Sequence, residues 1–129
     1  MILADTSIWI DVLTGGLTLK PQDFRDLVVC GPVVQEVLQG MRPGLATDVF
    51  RGRLLALRAV SDPVPMGLFL SAAEIYRQGR RRGVTIRSSV DCLIAAIAIE
   101  NRIPVWHRDR DFDVIAGYTP LEVRAIRLM

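Results

Sequence analysis

Short apolar runs alternate along this chain with longer stretches in which apolar residues recur every three or four positions. Ile2-Leu3-Ala4 reads as a strand, and Asp5-Thr6-Ser7 then offers N-cap chemistry for a helix from about Ile8 to Leu13, which Gly15-Gly16 stops. After a loop with Pro21, Phe24 to Leu27 reads as helical and Val28-Val29-Cys30 as a second strand closed by Gly31. Pro32 suits the first turn of a helix over Val33 to Gln39, ended by Gly40. A further amphipathic helix over Leu45 to Leu57 and a small strand at Ala59-Val60 lead into the Pro63/Pro65 loop. Leu68 to Arg82 then reads as a long helix with Leu68, Ala72, Ile75 and Tyr76 on one face, ended by Gly83.

The next helix, Val90 to about Asn101, is of another kind. Its stretch Leu93 to Ile99 is apolar on every side, which predicts an element buried at the heart of the fold, capped by Ser88 or Ser89 and carrying Asp91 on its first turn. Pro104-Val105-Trp106 reads as a strand, an acidic loop follows, and Val123 to Leu128 reads as a last edge strand. Apolar strands alternating with helices predict βαβ crossovers, and so an α/β fold of three layers with a short, mainly parallel central sheet and helices on both faces. There is no repeat, linker or low-complexity segment, and 129 residues are expected to form one domain.

Composition narrows the setting. Half of the residues are hydrophobic, which argues against disorder. Cys30 and Cys92 lie inside apolar runs without CxxC or His/Cys spacing, the pattern of buried thiols in a reduced, cytoplasmic protein. No basic segment precedes an apolar leader, and the longest apolar run, Leu93 to Ile99, is far short of the ~20 residues needed to span a bilayer. The formal charge is only +2, yet Lys20 is the sole lysine beside fifteen arginines. Arginine forks suit phosphate and carboxylate recognition, and a GC-rich genome gives the same bias. The cluster Arg80, Arg81, Arg82 and Arg87 reads either as a solvated helix end or as a phosphate-gripping rim.

The candidate chemistry lies in carboxylates: Asp5, Glu36, Asp91 and the run Asp109, Asp111, Asp113. Several sit where an apolar element meets a turn or a helix start, the place where an open α/β sheet keeps its chemistry. Acids gathered at one sheet edge raise one another's pKa unless a divalent cation neutralises them. Each also has a local explanation. Asp5 caps a helix, Asp91 completes a capping box with Ser88, Glu36 is a solvated helix residue, and the last three acids form a loop.

Taken together these segments resemble the PIN-domain ribonucleases, and within them the VapC toxins of prokaryotic toxin–antitoxin pairs. Ile-Leu-Ala-Asp-Thr-Ser-Ile-Trp-Ile-Asp (2 to 11) is similar to the family's first strand and acid, and Glu36 in Val-Val-Gln-Glu-Val-Leu-Gln-Gly (33 to 40) to its second. Asp91 in Arg-Ser-Ser-Val-Asp-Cys-Leu-Ile-Ala-Ala (87 to 96) matches the third, and His-Arg-Asp-Arg-Asp-Phe-Asp (107 to 113) resembles the closing segment, where either Asp109 or Asp111 corresponds to the fourth acid. The resemblance implies a metal-dependent endoribonuclease, a VapB-type antitoxin that covers the acidic groove with a basic tail, and a homodimer.

On that reading Asp5 and Asp91 are the principal ligands, Asp109 and Asp111 serve a second or shared ion, and Glu36 binds metal or orients water. Carboxylate oxygens suit Mg²⁺ or Mn²⁺; a single histidine, His107, and the absence of cysteine near the acids disfavour zinc. Thr6 or Ser7 is expected to hydrogen-bond Asp5 or a phosphate, and His107 to satisfy a strand end rather than act as a base. Period-two alternation would set Asp109 and Asp111 on one side and Arg108 and Arg110 on the other, with Asp113 outside the site. Leu45, Val49, Phe50, Leu54 and Leu57 either form a partner groove or pack the core. A haloacid-dehalogenase phosphatase would need an acid where Ser7 stands, and a receiver or P-loop enzyme a lysine nearer to phosphate than Lys20. The remaining alternative is a catalytically silent PIN-like domain that binds RNA or protein.

Overall fold

A computed structural model describes residues 1–125. Five parallel strands, β1 (Ile2–Ala4), β2 (Leu27–Val29), β3 (Arg58–Ala59), β4 (Val105–His107) and β5 (Val123–Ala125), form one sheet in the order β3-β2-β1-β4-β5. Helices α1 (Thr6–Leu13), α2 (Gly31–Gln39), α3 (Leu45–Leu55), α4 (Met66–Arg81), α5 (Ser89–Asn101) and α6 (Arg110–Ala116) complete the three-layer α/β/α arrangement expected from the alternation of elements. Residues 126–128 of the expected last strand lie outside the described residues.

The core is built where the sequence is most apolar. In α5, Cys92 and the run Ile94 to Ala98 are all buried, and Leu68, Ala72 and Ile75 of α4 pack toward them. Tyr76, expected on the same face of α4, is only partly buried. Ile94 and Ile97 are fully enclosed, so truncating either to Ala costs about 2–5 kcal/mol. A helix fixed this firmly is a rigid mount for whatever its first turn carries.

Two expectations are corrected. Phe24 to Leu27 is not a helix: a short 3₁₀ helix covers Pro21–Arg25, and Leu27 is drawn into β2, buried and paired in register with Ile2. The acidic segment after β4 is not a loop but the start of α6. Asp109 is the N-cap, its Oδ1 accepting from the Asp111 backbone N–H at 3.0 Å, and Phe112 and Ile115, three apart, bury the helix face. Elsewhere the expected elements are present with ends moved by one or two residues: α1 begins at Thr6, α2 at Gly31 and α4 at Met66, while α3 stops at Leu55.

Candidate metal centre

Because all five strands run the same way, their carboxyl ends lie at one edge of the sheet. β1 sits between β2 and β4, and the strand order reverses there, the place where open α/β sheets form their crevice. Asp5 follows β1 directly, tied to β4 by its backbone N–H, which donates to the Trp106 carbonyl at 3.0 Å. Asp109 follows β4, Glu36 stands on α2 just beyond β2, and Asp91 projects from the first turn of α5.

Three of these acids converge closely: Asp91, Asp109 and Asp111 each offer a carboxylate oxygen within 4.8 Å of the others. Asp91 and Asp111 are buried, and Asp109 is partly so. Asp5 and Glu36 lie outside that tight trio but act on it, since both push the Asp91 carboxyl toward its neutral form. Burial, then Asp109, Asp5, Glu36 and Asp111, lift Asp91 to about 8. Among the described residues none donates a hydrogen bond to the Asp91 carboxylate, and Ser88 makes no side-chain cap, so the expected capping box is not formed.

Asp5 is held differently. Its Oδ1 accepts from Ser7 Oγ at 2.5 Å and, weakly, from the Ile8 backbone N–H at 3.4 Å, so it is both helix cap and site acid. Burial raises it to about 6 even though those two bonds and His107 oppose the shift, with Asp109 adding a small upward push. Thr6 turns the other way and donates to Glu36 Oε1 at 2.7 Å, which anchors the carboxylate of α2 to the start of α1. Of the two hydroxyls offered by the sequence, Ser7 thus serves Asp5 and Thr6 serves Glu36.

The geometry after β4 follows from capping rather than strand alternation. Asp109 and Asp111 both face Asp91 because one caps α6 and the other sits in its first turn. Arg108 points away: its Nη1 reaches both oxygens of Asp11 at 2.8 and 2.9 Å, and its backbone N–H donates to Ser7 Oγ at 3.0 Å. Asp11 and Arg108 therefore clamp the α1 end of the site to the β4–α6 junction; neither partner was flagged as a pair by sequence, since nothing in their spacing of 97 residues marks them. His107 Nδ1 accepts from the Asp109 backbone N–H at 3.1 Å, the strand-end role expected of it. Its Nε2 lies 3.2 Å from Asp113 Oδ1 but is too poorly aimed to make a hydrogen bond.

Arg87 alone of the arginine cluster reaches the acids. Its backbone N–H and its Nε both approach Asp111 Oδ2 at 3.4 Å, and its Nη2 lies 3.6 Å from Asp109 Oδ1. Arg81 instead pairs with Glu74 on its own helix and Arg82 stacks on the Tyr118 ring, local uses that fit a solvated helix end.

The donor set fits a hard divalent cation: carboxylate oxygens of Asp91, Asp109 and Asp111 converge, and among the described residues none donates a hydrogen bond to the Asp91 carboxylate. The expectation that no cysteine is near the acids needs correction, because Cys92 adjoins Asp91. Burial, with Asp91 and Asp111, pushes its thiol up to about 11 in the metal-free protein, and its sulfur is not among the ligand atoms that converge, which are those of Asp91, Asp109 and Asp111. The expected partner surface also divides. Leu45 and Val49 are exposed, whereas Phe50 packs edge-on against Trp9 and Leu54 and Leu57 belong to or lie against the core, because that face of α3 and its end cover Trp9 and the neighbouring core.

The fold recurs in known proteins. The PIN domain model matches residues 2–118. The chain is 36% identical over 137 aligned residues to ribonuclease VapC11 of Mycobacterium tuberculosis, and equally to a VapC ribonuclease of Mycobacterium bovis, each match covering 98% of this chain and 100% of the relative. In structure it is similar to the DNA-bound VapBC of Salmonella typhimurium, with a TM-score of 0.75 at 17% identity over 96% of each chain. It is also similar to VapBC2 of Rickettsia felis bound to a promoter DNA fragment, with a TM-score of 0.74 at 15% identity over 98% of this chain and 100% of that one. With β1, α2, α5 and the β4–α6 junction each delivering an acid to one sheet edge, and with the match running from end to end, this chain belongs to the PIN domain family and within it to the VapC branch.

Proposed function

We propose that this chain is a Mg²⁺- or Mn²⁺-dependent endoribonuclease that hydrolyses RNA phosphodiester bonds and serves as the toxin of a type II toxin–antitoxin pair. The observation that carries the reading is Asp91: a residue only 7% exposed, its carboxylate without a donor among the described residues, facing Asp109 and Asp111 on a rigid helix. Such a group is costly to bury as an anion and gains its use when a cation sits beside it. The family match over residues 2–118 and the single sheet support one PIN domain across 1–129.

In this mechanism Asp91, Asp109 and Asp111 would hold the metal, and Asp5, at the end of the neighbouring strand, would complete the set. When bound, a divalent ion supplies water activation and neutralises charge on the scissile phosphate. Ser7 keeps Asp5 ionisable and aimed by donating to one of its oxygens. Glu36, steadied by Thr6, stands where it can bind metal or orient the attacking water. His107 accepts from the Asp109 backbone through Nδ1 and its Nε2 is buried away from solvent, so it is not assigned a proton-transfer role.

An unguarded ribonuclease requires control, and the site has a neighbour suited to it. A groove of about 690 Å³ beside Glu36 is lined by Ile10, Leu13, Val37, Met41 and Leu45. A VapB-type antitoxin would set apolar residues there and extend a basic tail over the acids. Met66, Phe69 and Leu70 are exposed together on α4, and they support a homodimer through that helix. RNA as substrate and two buried free thiols support a cytoplasmic setting; no helix among the described residues is long and apolar enough to cross a membrane.

The deciding experiment is incubation of the purified chain with single-stranded RNA in Mg²⁺, Mn²⁺ or EDTA, beside Asp91→Asn. Cleavage that needs the metal and Asp91 is expected. A folded parent that cleaves nothing in either metal would leave the silent RNA- or protein-binding domain in its place. Growth arrest on expression, relieved by the antitoxin or by Asp91→Asn, is the expected cellular counterpart.

A further inference from the structure

Resting on the metal-site reading, we propose that Arg87 is a tethered counter-ion that occupies the acid cluster when no metal is bound and turns to the RNA phosphate when it is. The guanidinium straddles two of the three converging acids, with Nε 3.4 Å from Asp111 Oδ2 and Nη2 3.6 Å from Asp109 Oδ1. Those distances are long for charge-assisted hydrogen bonds, which close to about 2.7–2.9 Å where a pair is locked. The side chain is 72% exposed, so little packing holds it in place. Asp111 is also approached by the Arg87 backbone N–H, which fixes the start of the side chain beside the site whatever its far end does.

A cation within reach of Asp109 and Asp111 competes with any ion that needs the same oxygens. It offsets part of the charge of Asp109 and Asp111 in the metal-free protein, and a divalent ion that takes the same oxygens must displace it. The displaced fork has an evident destination. Arg87 lies one residue before the Ser88 N-cap of the helix that carries Asp91, and its side chain is open to solvent beside the acids, within reach of a phosphodiester that would bind there. A planar guanidinium exchanges a carboxylate for a phosphate with little change in its hydrogen-bonding geometry, which a lysine does not do.

The two roles have opposite signs in one variant. Arg87→Gln should bind Mn²⁺ more tightly, by roughly tenfold in calorimetric titration, because its competitor is gone. The same variant should bind single-stranded RNA more weakly in Ca²⁺, by roughly fivefold to tenfold, because a phosphate contact is lost. Arg87→Lys keeps the charge and should restore Mn²⁺ affinity to near the parental value while restoring RNA binding only in part. Mn²⁺ binding that is unchanged or weaker in a folded Arg87→Gln protein overturns the proposal and leaves Arg87 a structural tie; RNA binding that is unchanged overturns its phosphate role. A parent that binds no Mn²⁺ at all overturns the metal centre itself, an outcome distinct from either.

Discussion

The turn from β1 into α1 and the first turn of α5 each deliver a buried aspartate to the same sheet edge, and they do so by opposite means. Asp5 is woven into its surroundings: it caps α1, accepts from Ser7 and Ile8, and is tied to β4 through its backbone. Asp91 has no such ties. It stands on the most deeply buried helix, with other carboxylates as its neighbours and no donor among the described residues. The local explanation offered for each acid by the sequence therefore succeeds at Asp5 and fails at Asp91. An acid with two structural bonds has a reason to be present without any chemistry; an acid with none has only the chemistry.

The largest effect should come from breaking the second kind. Asp91→Asn is expected to lower metal-dependent RNA cleavage by about three orders of magnitude, the loss of several kcal/mol of metal-centred stabilisation. In EDTA at neutral pH it should melt higher than the parent, because Asn spares the proton uptake that the raised Asp91 carboxyl imposes on folding. Asp5→Asn should lose a similar share of activity while keeping the cap, since Asn caps as well as Asp. Asp5→Ala should fall about 1 kcal/mol below Asp5→Asn in stability, a gap that measures the structural half of that residue's work. Cleavage rates and urea melts on the three variants make the comparison. Wild-type cleavage by Asp91→Asn would remove the metal assignment.

The same contrast predicts how the metal-free protein responds to pH. Both carboxyls are raised from 3.8, to about 6 for Asp5 and about 8 for Asp91, so the fold holds their protons more tightly than the unfolded chain does. Their contribution to stability is complete below 3.8 and is lost as pH rises through about 6 and then about 8. In EDTA the melting temperature should fall between pH 5 and pH 8, and Asp91→Asn should flatten the upper part of that slope. Mn²⁺ should reverse the trend, stabilising most where the acids are ionised. A parent protein equally stable across this range in EDTA would show that the acids are not in fact strained.

A middle-sized effect is expected at Ser7, whose hydroxyl belongs to both regions. It donates to Asp5 and accepts from the Arg108 backbone, joining α1 to the junction before α6. Ser7→Ala should raise the Asp5 pKa further, shifting the acidic limb of the pH–rate profile upward and lowering cleavage by about tenfold at pH 7. The stability cost is at most about 1 kcal/mol, because the Arg108 N–H that loses its partner is exposed and turns to water. A fall in rate without any change in the pH profile would mean that Ser7 acts on substrate rather than through Asp5.

These contrasts also mark what could be read in the chain beforehand. α5 was legible because a helix apolar on all sides can only be internal, and the alternation of short apolar runs with helices sufficed for the parallel sheet. α6 was hidden because its first turn is a run of Asp and Arg; only Phe112 and Ile115, spaced by three, betray it, and the Asp109 cap reads equally well as a turn residue. Strand alternation predicts that Asp109 and Asp111 share a side, and they do, but through the cap and first turn of a helix. The Arg108–Asp11 clamp was out of reach, since a pair separated by 97 residues depends on how β1 and β4 are placed side by side.

The smallest effect should be at Asp113, which tests how sharply the site ends. It is the third acid of the same short run, yet its carboxylate is turned to the His107 side, 56% exposed and poorly aimed at an imidazole 3.2 Å away. A pair of that exposure contributes at most about 1 kcal/mol, and it reaches the metal site only through the His107 ring, whose Nδ1 accepts from the Asp109 backbone. Asp113→Asn should therefore change Mn²⁺ affinity by less than about twofold and stability by less than about 0.5 kcal/mol. Side-by-side titration with Asp109→Asn and Asp111→Asn is the measurement, and both of those should lose far more. A loss at Asp113 as large as theirs would move the centre toward His107, and it would make the turn of α6, rather than the first turn of α5, the place where the cation is gripped.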